Sequence, residues 1–247
     1  MRLGTIVRIV VLVLLAAFLV RPQSFAFVFA PLTHDGQPAI YTQNSLLNLT
    51  LSHIGLVLAA TLVATLVAVG LAILVTRPSG AEFLPLSRMI ANTGQTFPPV
   101  AVLALAVPIL GFGSGPTLVA LFLYGLLPIF ENALTGLTTI PPDIEESARG
   151  AGMNETQRLW QVELPLALPL ILAGIRLSVT ISIGTATIGS TVAASTLGEA
   201  IIAGLINSNL AFVAQGGLVV GALAILSYDG LRTLDRQLAR RVGGRAR

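Results

Sequence analysis

Hydrophobic positions run along this chain in long uncharged stretches separated by short islands of charge. A hydrocarbon layer about 30 Å thick is crossed by about 20 apolar helical residues, and that ruler picks out five spans. Ile54–Val75, Met89–Leu110 and Pro116–Phe130 contain no charged residue, Leu166–Val192 contains only Arg176, and Phe212–Tyr228 contains none. A further apolar run, Ile9–Val20, is short for a span. Arg8 can snorkel towards the headgroups and lengthen it to about Leu3–Val20. Basic residues before an apolar run also open a signal peptide, but Arg21-Pro22-Gln23 is a poor cleavage site, so an uncleaved anchor is expected. The pattern predicts an all-α integral membrane protein of about six transmembrane helices, in three parts. These are an anchor helix with an external loop (1–53), a membrane core (54–230) and an arginine-rich tail (231–247). Within the loop Arg21–His53, an interfacial helix is expected near Ser45–His53.

Orientation follows from counting arginines in the connections. Arg232, Arg236, Arg240, Arg241, Arg245 and Arg247 follow the last span, which places the carboxyl terminus in the cytoplasm. Six crossings bring the amino terminus, with Arg2 and Arg8, to the same side. Arg77 and Arg88 flank the second connection and Arg149 and Arg158 lie in the fourth, both inward, while the outward loops 21–53, 111–115 and 193–211 hold only Arg21.

Composition agrees with lipid as the solvent: 54% of residues are hydrophobic and 10% charged, against roughly 25% charged in an ordinary soluble domain, and the mean hydropathy is +0.87. Every basic residue is arginine. Without lysine there is no Walker A loop, so a nucleotide site would have to lie on another chain. The pI near 10.2 reflects arginines in connections and tail, and no basic patch for nucleic acid is expected. There is no cysteine, and His34 and His53 stand alone. No disulfide, thiolate nucleophile or metal centre is expected.

The longest inward connection, residues 138–165, holds more structure than a crossing needs. Pro142 suits a first helical turn, Asp143, Glu145 and Glu146 complement the positive end of the helix dipole, and Gly150 and Gly152 can take the left-handed conformation that ends a helix. Glu146 and Arg149 stand at i,i+3 and can form a surface pair. Asn154 with Gln157 three residues on is a capping box for a second helix, which Pro165 is expected to break before the next span.

The order Glu146-Ser147-Ala148, then Gly152, Val162 and Leu164-Pro165, resembles the EAA loop of ATP-binding-cassette importer permeases, with Ser147 in place of the usual alanine and Val162 in place of isoleucine. The resemblance implies a type I ABC importer permease fold. The first short helix would be a coupling helix seated in a groove of a separate ATPase, with Glu146, Ser147, Ala148, Gly152, Val162, Leu164 and Pro165 as the coupling residues. It also implies two ABC ATPase subunits that hold ATP and magnesium, a second permease chain (itself or a homologue), an extracytoplasmic substrate-binding protein, and a place in the cytoplasmic (inner) membrane of a bacterium. Further segments, Gly94–Ala104, Leu121–Pro128, Val162–Pro169, Ala173–Arg176 and Ile183–Ile188, look like the permeases that import glycine betaine, carnitine and choline.

Several polar residues in the spans are candidates for a translocation path. Pro98 and Pro99 free backbone carbonyls inside the third span, which is tolerated only under protein or water cover, and Gln95 and Thr96 sit beside that break. Ser178, Ser182, Thr185 and Gly189 form one small polar stripe and Thr180, Thr187 and Thr191 a second; such stripes either line a path or pack helices together. Arg176 lies roughly half-way through its span at about 1.5 Å per residue, where a charge is costly and is paired, hydrated or in contact with solute. Aromatic residues are 6% of the chain and scattered, so selectivity for a quaternary ammonium, which needs ring faces, is expected to lie chiefly in the binding protein.

Three other readings compete. An importer permease for another small solute, such as an amino acid or oxyanion, would share the same loop. A channel or carrier without an ATPase would not need it. A membrane-embedded enzyme would need a chemical cluster that the sequence lacks.

Overall fold

A computed structural model describes the backbone of residues 3–34 and 36–243 and the side chains of 6–34 and 36–233. All regular secondary structure among the described residues is helical, with no strand. Four helical stretches are long and apolar enough to cross a membrane: Leu46–Val75, Ser114–Thr138, Glu155–Val192 and Leu210–Thr233. Two further pairs broken by a sharp bend bring the number to six when each pair is taken as one span. The expected spans therefore reappear, with different ends.

The chain folds into two compact units. The first comprises Met1–Ala60, Pro98–Leu121 and Thr180–Ser227, the second Thr61–Phe97, Phe122–Val179 and Tyr228–Arg247.

In the first unit, helix α1 (Leu3–Val20) matches the lengthened anchor. It turns by 116° into the short segment Pro22–Leu32, which includes α2 (Ala26–Phe29). Phe18 meets Phe25 edge-on at 5.5 Å and Phe29 at 5.4 Å, which closes this corner. Helix α3 (Leu46–Val75) begins well before the expected span. The interfacial helix expected near Ser45–His53 is its opening turns, because Ser45 accepts from the Asn48 amide and no glycine or proline interrupts the chain until Gly55. His53 is fully buried. Its Nε2 bonds the Ile183 carbonyl at 3.0 Å and its Nδ1 accepts from the Leu197 amide at 3.4 Å, which fixes the Nε2–H tautomer.

In the second unit, small residues let the helices approach. Ala64, Ala68 and Ala72 form a ladder along α3 with no exposed surface. They share a core with Leu126, Ile129, Phe130, Ala133 and Leu137 of helix α6 (Ser114–Thr138) and with Ala167 and Ile171 of helix α9 (Leu164–Thr185). A methyl group at Gly174 would lie 2.7 Å from the Pro128 carbonyl oxygen, so α6 and α9 touch there backbone to backbone.

The third expected span, Met89–Leu110, is broken. Helix α4 (Leu84–Thr96) ends at Phe97, which is extended (ψ 139°) as a residue before proline must be, and α5 (Pro99–Leu110) starts afresh. Three other boundaries move. The span expected to stop at Phe130 runs on through Glu131 to Thr138, where Glu131 is neutralised by Arg88 at 3.1 Å. The span expected as Leu166–Val192 is α-helical to Thr185 and then tightens into a 3-10 turn over Ala186–Val192, ahead of α10 (Gly198–Ile206). The last span continues as α11 (Leu210–Gly243), so the arginine-rich segment is helical to residue 243. The side chains of Arg236, Arg240 and Arg241, and the residues Arg2, Arg245 and Arg247, lie outside the described residues.

Candidate functional site

The connection between α6 and α9 is built from local signals. Pro141 and Pro142 open helix α7 (Pro142–Gly150), with Asp143 and Glu145 in its first turn and Arg149 in its last. Gly152 ends the turn with φ at +80°, a conformation that strains a residue bearing a Cβ, whereas Gly150 stays helical and takes no such role. Asn154 then caps α8 (Glu155–Arg158): its Oδ1 accepts from the Gln157 amide at 2.8 Å, and the Gln157 side chain accepts from the Asn154 amide at 2.9 Å.

Pro165 does not break the chain. Residues Leu159–Glu163 form a π-helical turn in which the Leu164 amide donates to the Leu159 carbonyl, five residues back. A proline offers no N–H, and the widened turn absorbs the missing bond. Helix α8 therefore passes without interruption into α9.

That turn is held by charge. Glu163, 4% exposed, takes Arg77 from the end of α3 on both carboxylate oxygens and Arg158 Nε on Oε1 at 3.2 Å. The bond to Glu163 keeps the Arg77 guanidinium above its ordinary pKa. The three side chains are 5%, 18% and 12% exposed respectively, so solvent screens them little. Glu145, Arg149 and Glu155 join them around a cavity of about 480 Å³, where three cations balance three carboxylates. Arg149 pairs at 3.8 Å with Glu145, not with the expected Glu146, because i,i+4 spacing brings those two side chains onto one face.

The expected coupling residues fall on both sides of this junction. Glu146 and Ser147 stand exposed on α7, while Ala148 is buried beneath them. Ser147 Oγ is turned back on its own helix, donating to the Asp143 carbonyl at 2.7 Å. Val162 lies in the π turn, and Leu164 and Pro165 open α9, all three half-buried. The pairing of Glu163 with Arg77 and Arg158 was not read from the sequence, which placed the two arginines only in connections. The usable signal was an acid within the apolar run that leads into a span.

The candidate path residues are divided between the two units. Gln95, Thr96 and Arg176 belong to the second unit, and Pro98, Pro99, Ser182, Thr185 and Thr187 to the first. At the α4 break Gln95 Nε2 donates to the Tyr124 carbonyl at 3.3 Å, and the Tyr124 hydroxyl donates to the freed Phe97 carbonyl. Thr96, Thr185 and Thr187 bond carbonyls three or four residues back. The Arg176 guanidinium sits over the Tyr228 ring at 5.3 Å from its centre. Ser178 and Ser182 are buried with no partner for their hydroxyls, and Ser178 Oγ lies 2.5 Å from where a Cβ on Gly125 would stand. Ser178 thus packs closely against Gly125.

The comparisons agree with this architecture. The family model for binding-protein-dependent transport system inner membrane components matches residues 68–242. The osmoprotectant import permease protein OsmY of Salmonella typhimurium is 40% identical over 80% of this chain and 84% of its own length. The choline transport system permease protein OpuBB of Bacillus subtilis is 38% identical over 78% and 88%, and the carnitine transport permease protein OpuCB of Listeria monocytogenes 36% over 79% and 88%. Among solved structures, an inward-facing form of the MetNI methionine ABC transporter superposes with a TM-score of 0.65 over 80% of this chain and 95% of that one. At 20% identity this is a likeness of fold alone, that of a type I ABC importer permease. With a loop helix carried unbroken into a span and relatives of this kind along most of its length, the chain belongs to the binding-protein-dependent transport system inner membrane components, a family of multi-pass permeases.

Proposed function

We propose that this chain is the transmembrane permease subunit of an ATP-driven ABC importer for an osmoprotectant or quaternary amine such as glycine betaine. The substrate class is supported by relatives named for osmoprotectant, choline and carnitine transport that align over about four-fifths of the chain. In this reading ATP and magnesium are held by separate ATPase subunits, which dock against α7 from the cytoplasm. A second permease chain completes the pathway, an extracytoplasmic binding protein delivers the solute, and both termini are cytoplasmic.

One observation carries the coupling role. Helix α8 runs through the π turn into α9 without a break, and the Arg77–Glu163–Arg158 triad ties that turn to the end of α3. A push delivered to the α7–α8 connection therefore acts on two membrane helices together. Gly152 is the joint between α7 and α8. A β-branched residue at φ +80° strains the backbone by about 1–3 kcal/mol, so Gly152→Val displaces α7 while leaving the membrane helices in place. The expected result in proteoliposomes containing the ATPase and binding protein is continued ATP hydrolysis with uptake of labelled glycine betaine or choline lost. Unchanged coupled uptake by Gly152→Val would count against the coupling role, and failure of the wild-type system to import any quaternary amine would remove the substrate class.

A further inference from the structure

Glu199 stands in the first turn of α10, and a polar clamp brings the distant segment 38–44 against it. Asn209 Nδ2 donates to the Pro38 carbonyl at 2.9 Å, Gln215 Nε2 donates to the Ala39 carbonyl at 2.8 Å, and the Tyr41 amide donates to Gln215 Oε1 at 3.1 Å. Gln215 is fully buried and Asn209 nearly so, which makes this a fixed attachment. Tyr41 is 3% exposed, and its ring meets Phe212 edge-on at 5.4 Å. Burial, together with the nearby Glu199 carboxylate, holds the Tyr41 phenol above its ordinary pKa, so it stays protonated. Asn44 Nδ2 donates to Glu199 Oε2 at 3.2 Å.

The carboxylate accepts from one neutral donor, Asn44, and no described residue forms a salt bridge with it. It faces a cavity of about 290 Å³ that Tyr41, Gln43, Ile202, Ile206 and Asn207 help to line. This volume is at the small end of the range for ligand sites. A carboxylate that meets only a neutral donor and the start of a helix, beside an aromatic ring and two isoleucines, suits a bulky cation with no N–H to donate. A compact ammonium would need several acceptors in place of the isoleucines, and an anion would be repelled.

We propose that this cavity is a binding site for a quaternary ammonium cation, with Glu199 as its counter-ion and Tyr41, Ile202 and Ile206 as its apolar wall. The proposal rests on the osmoprotectant reading and adds a place in this chain where such a solute is held. It also sets an order: choline, a plain cation, binds more tightly than glycine betaine, whose own carboxylate opposes Glu199.

The test is saturation-transfer NMR on the choline methyl protons, with the full-length chain and its ATPase partner in lipid nanodiscs, freed of the solute-binding protein. The wild type is expected to bind choline but not its neutral isostere 3,3-dimethylbutanol. Glu199→Gln is expected to weaken choline binding about tenfold or more, equivalent to about 1.4 kcal/mol, with Glu199→Asp intermediate. Should Glu199→Gln fail to fold, Ile206→Lys tests the same point, because residue 206 is 77% exposed and a cation there opposes the ligand without disturbing the core. Equal binding of choline and dimethylbutanol, or unchanged choline binding in both variants, overturns the site. Quaternary-amine uptake by the wild type, measured separately, distinguishes the two failures. If uptake is intact and choline binding is insensitive to Glu199, the site alone is wrong; if there is no uptake, the functional reading is wrong.

Discussion

Glu163→Gln is the substitution that tests most directly whether the α8–α9 junction works as a rigid lever. The wild-type triad carries one carboxylate between two guanidiniums, all three largely shielded from water. Glutamine keeps the volume of glutamate and one acceptor, but removes the one carboxylate bonded to both arginines, leaving Glu145 and Glu155 to act on Arg77 only from across the cavity. Arg77 and Arg158 are then left facing each other, and the Arg77 Nε, which already has no partner, gains none. Removing one member of a buried ion pair costs about 3–5 kcal/mol. The retained amide places this variant near the lower figure, about 3 kcal/mol. For a chain of this size a loss of 1 kcal/mol lowers the melting temperature by about 2–4 °C, so Glu163→Gln is expected to melt roughly 6–12 °C below the wild type.

The charge count predicts an order among variants. Arg158→Gln leaves a neutral Arg77–Glu163 pair and should cost least, Arg77→Gln breaks the bond that reaches α3 and should cost more, and Glu163→Gln should cost most. The double variant Arg77→Gln/Glu163→Gln should recover part of the loss, since like charges no longer face each other. Trp160, the only tryptophan in the chain, lies within the π turn and is 66% exposed, so its fluorescence reports on this junction during melting. In proteoliposomes the same variants should hydrolyse ATP with uptake reduced in the same order. A Glu163→Gln protein that melts within 2 °C of the wild type, or that keeps its ratio of solute imported to ATP hydrolysed, would refute the reasoning.

Two smaller perturbations separate packing from capping. Gly94→Ala places a methyl group onto the Leu123 backbone carbonyl, which cannot turn aside as a side chain would. A loss of about 1–3 kcal/mol should appear as reduced yield and a lower melting temperature in detergent. Asn154→Ala removes the side-chain acceptor of the Gln157 amide but leaves the Gln157 bond to the residue 154 amide. A loss of about 1 kcal/mol should appear as faster hydrogen exchange confined to residues 155–158, and global destabilisation without that local signature would contradict the capping assignment.

The spans could be read from the sequence because a bilayer demands a length of apolar helix that no other arrangement supplies. The α7–α8 connection could be read because its signals are local: Pro142 starts a helix, Gly152 ends one, and Asn154 with Gln157 starts the next. Pro165 misled because a proline's effect depends on the helical register around it, and nothing in the neighbouring residues announces a π turn. Glu163 was passed over for a different reason. Its main partner, Arg77, is 86 positions away, and hydropathy assigned that arginine only to a connection. The clamp on Tyr41 spans 174 positions through Gln215, a glutamine in an apolar run that the span assignment absorbed without comment. Apart from the π turn, what escaped the sequence is thus the set of polar contacts between distant segments.

In the proposed importer those same contacts decide how force can travel. Apolar helix faces in lipid lose little by sliding, since hydrocarbon solvates them nearly as well as a neighbouring helix does. The alanine ladder on α3 and the close approach of α6 and α9 at Gly174 allow tight packing, but neither fixes position along a helix axis as a directed bond does. The Glu163 triad does fix it, because carboxylate and guanidinium groups meet in a defined geometry and leaving either unpaired is costly. A junction meant only for stability could use leucine or methionine there at no loss. Placing a buried ion triad where the loop helix becomes a membrane helix makes sense when relative position must survive repeated mechanical strokes. That is why the order of the three triad variants, more than the size of any one effect, tests the lever.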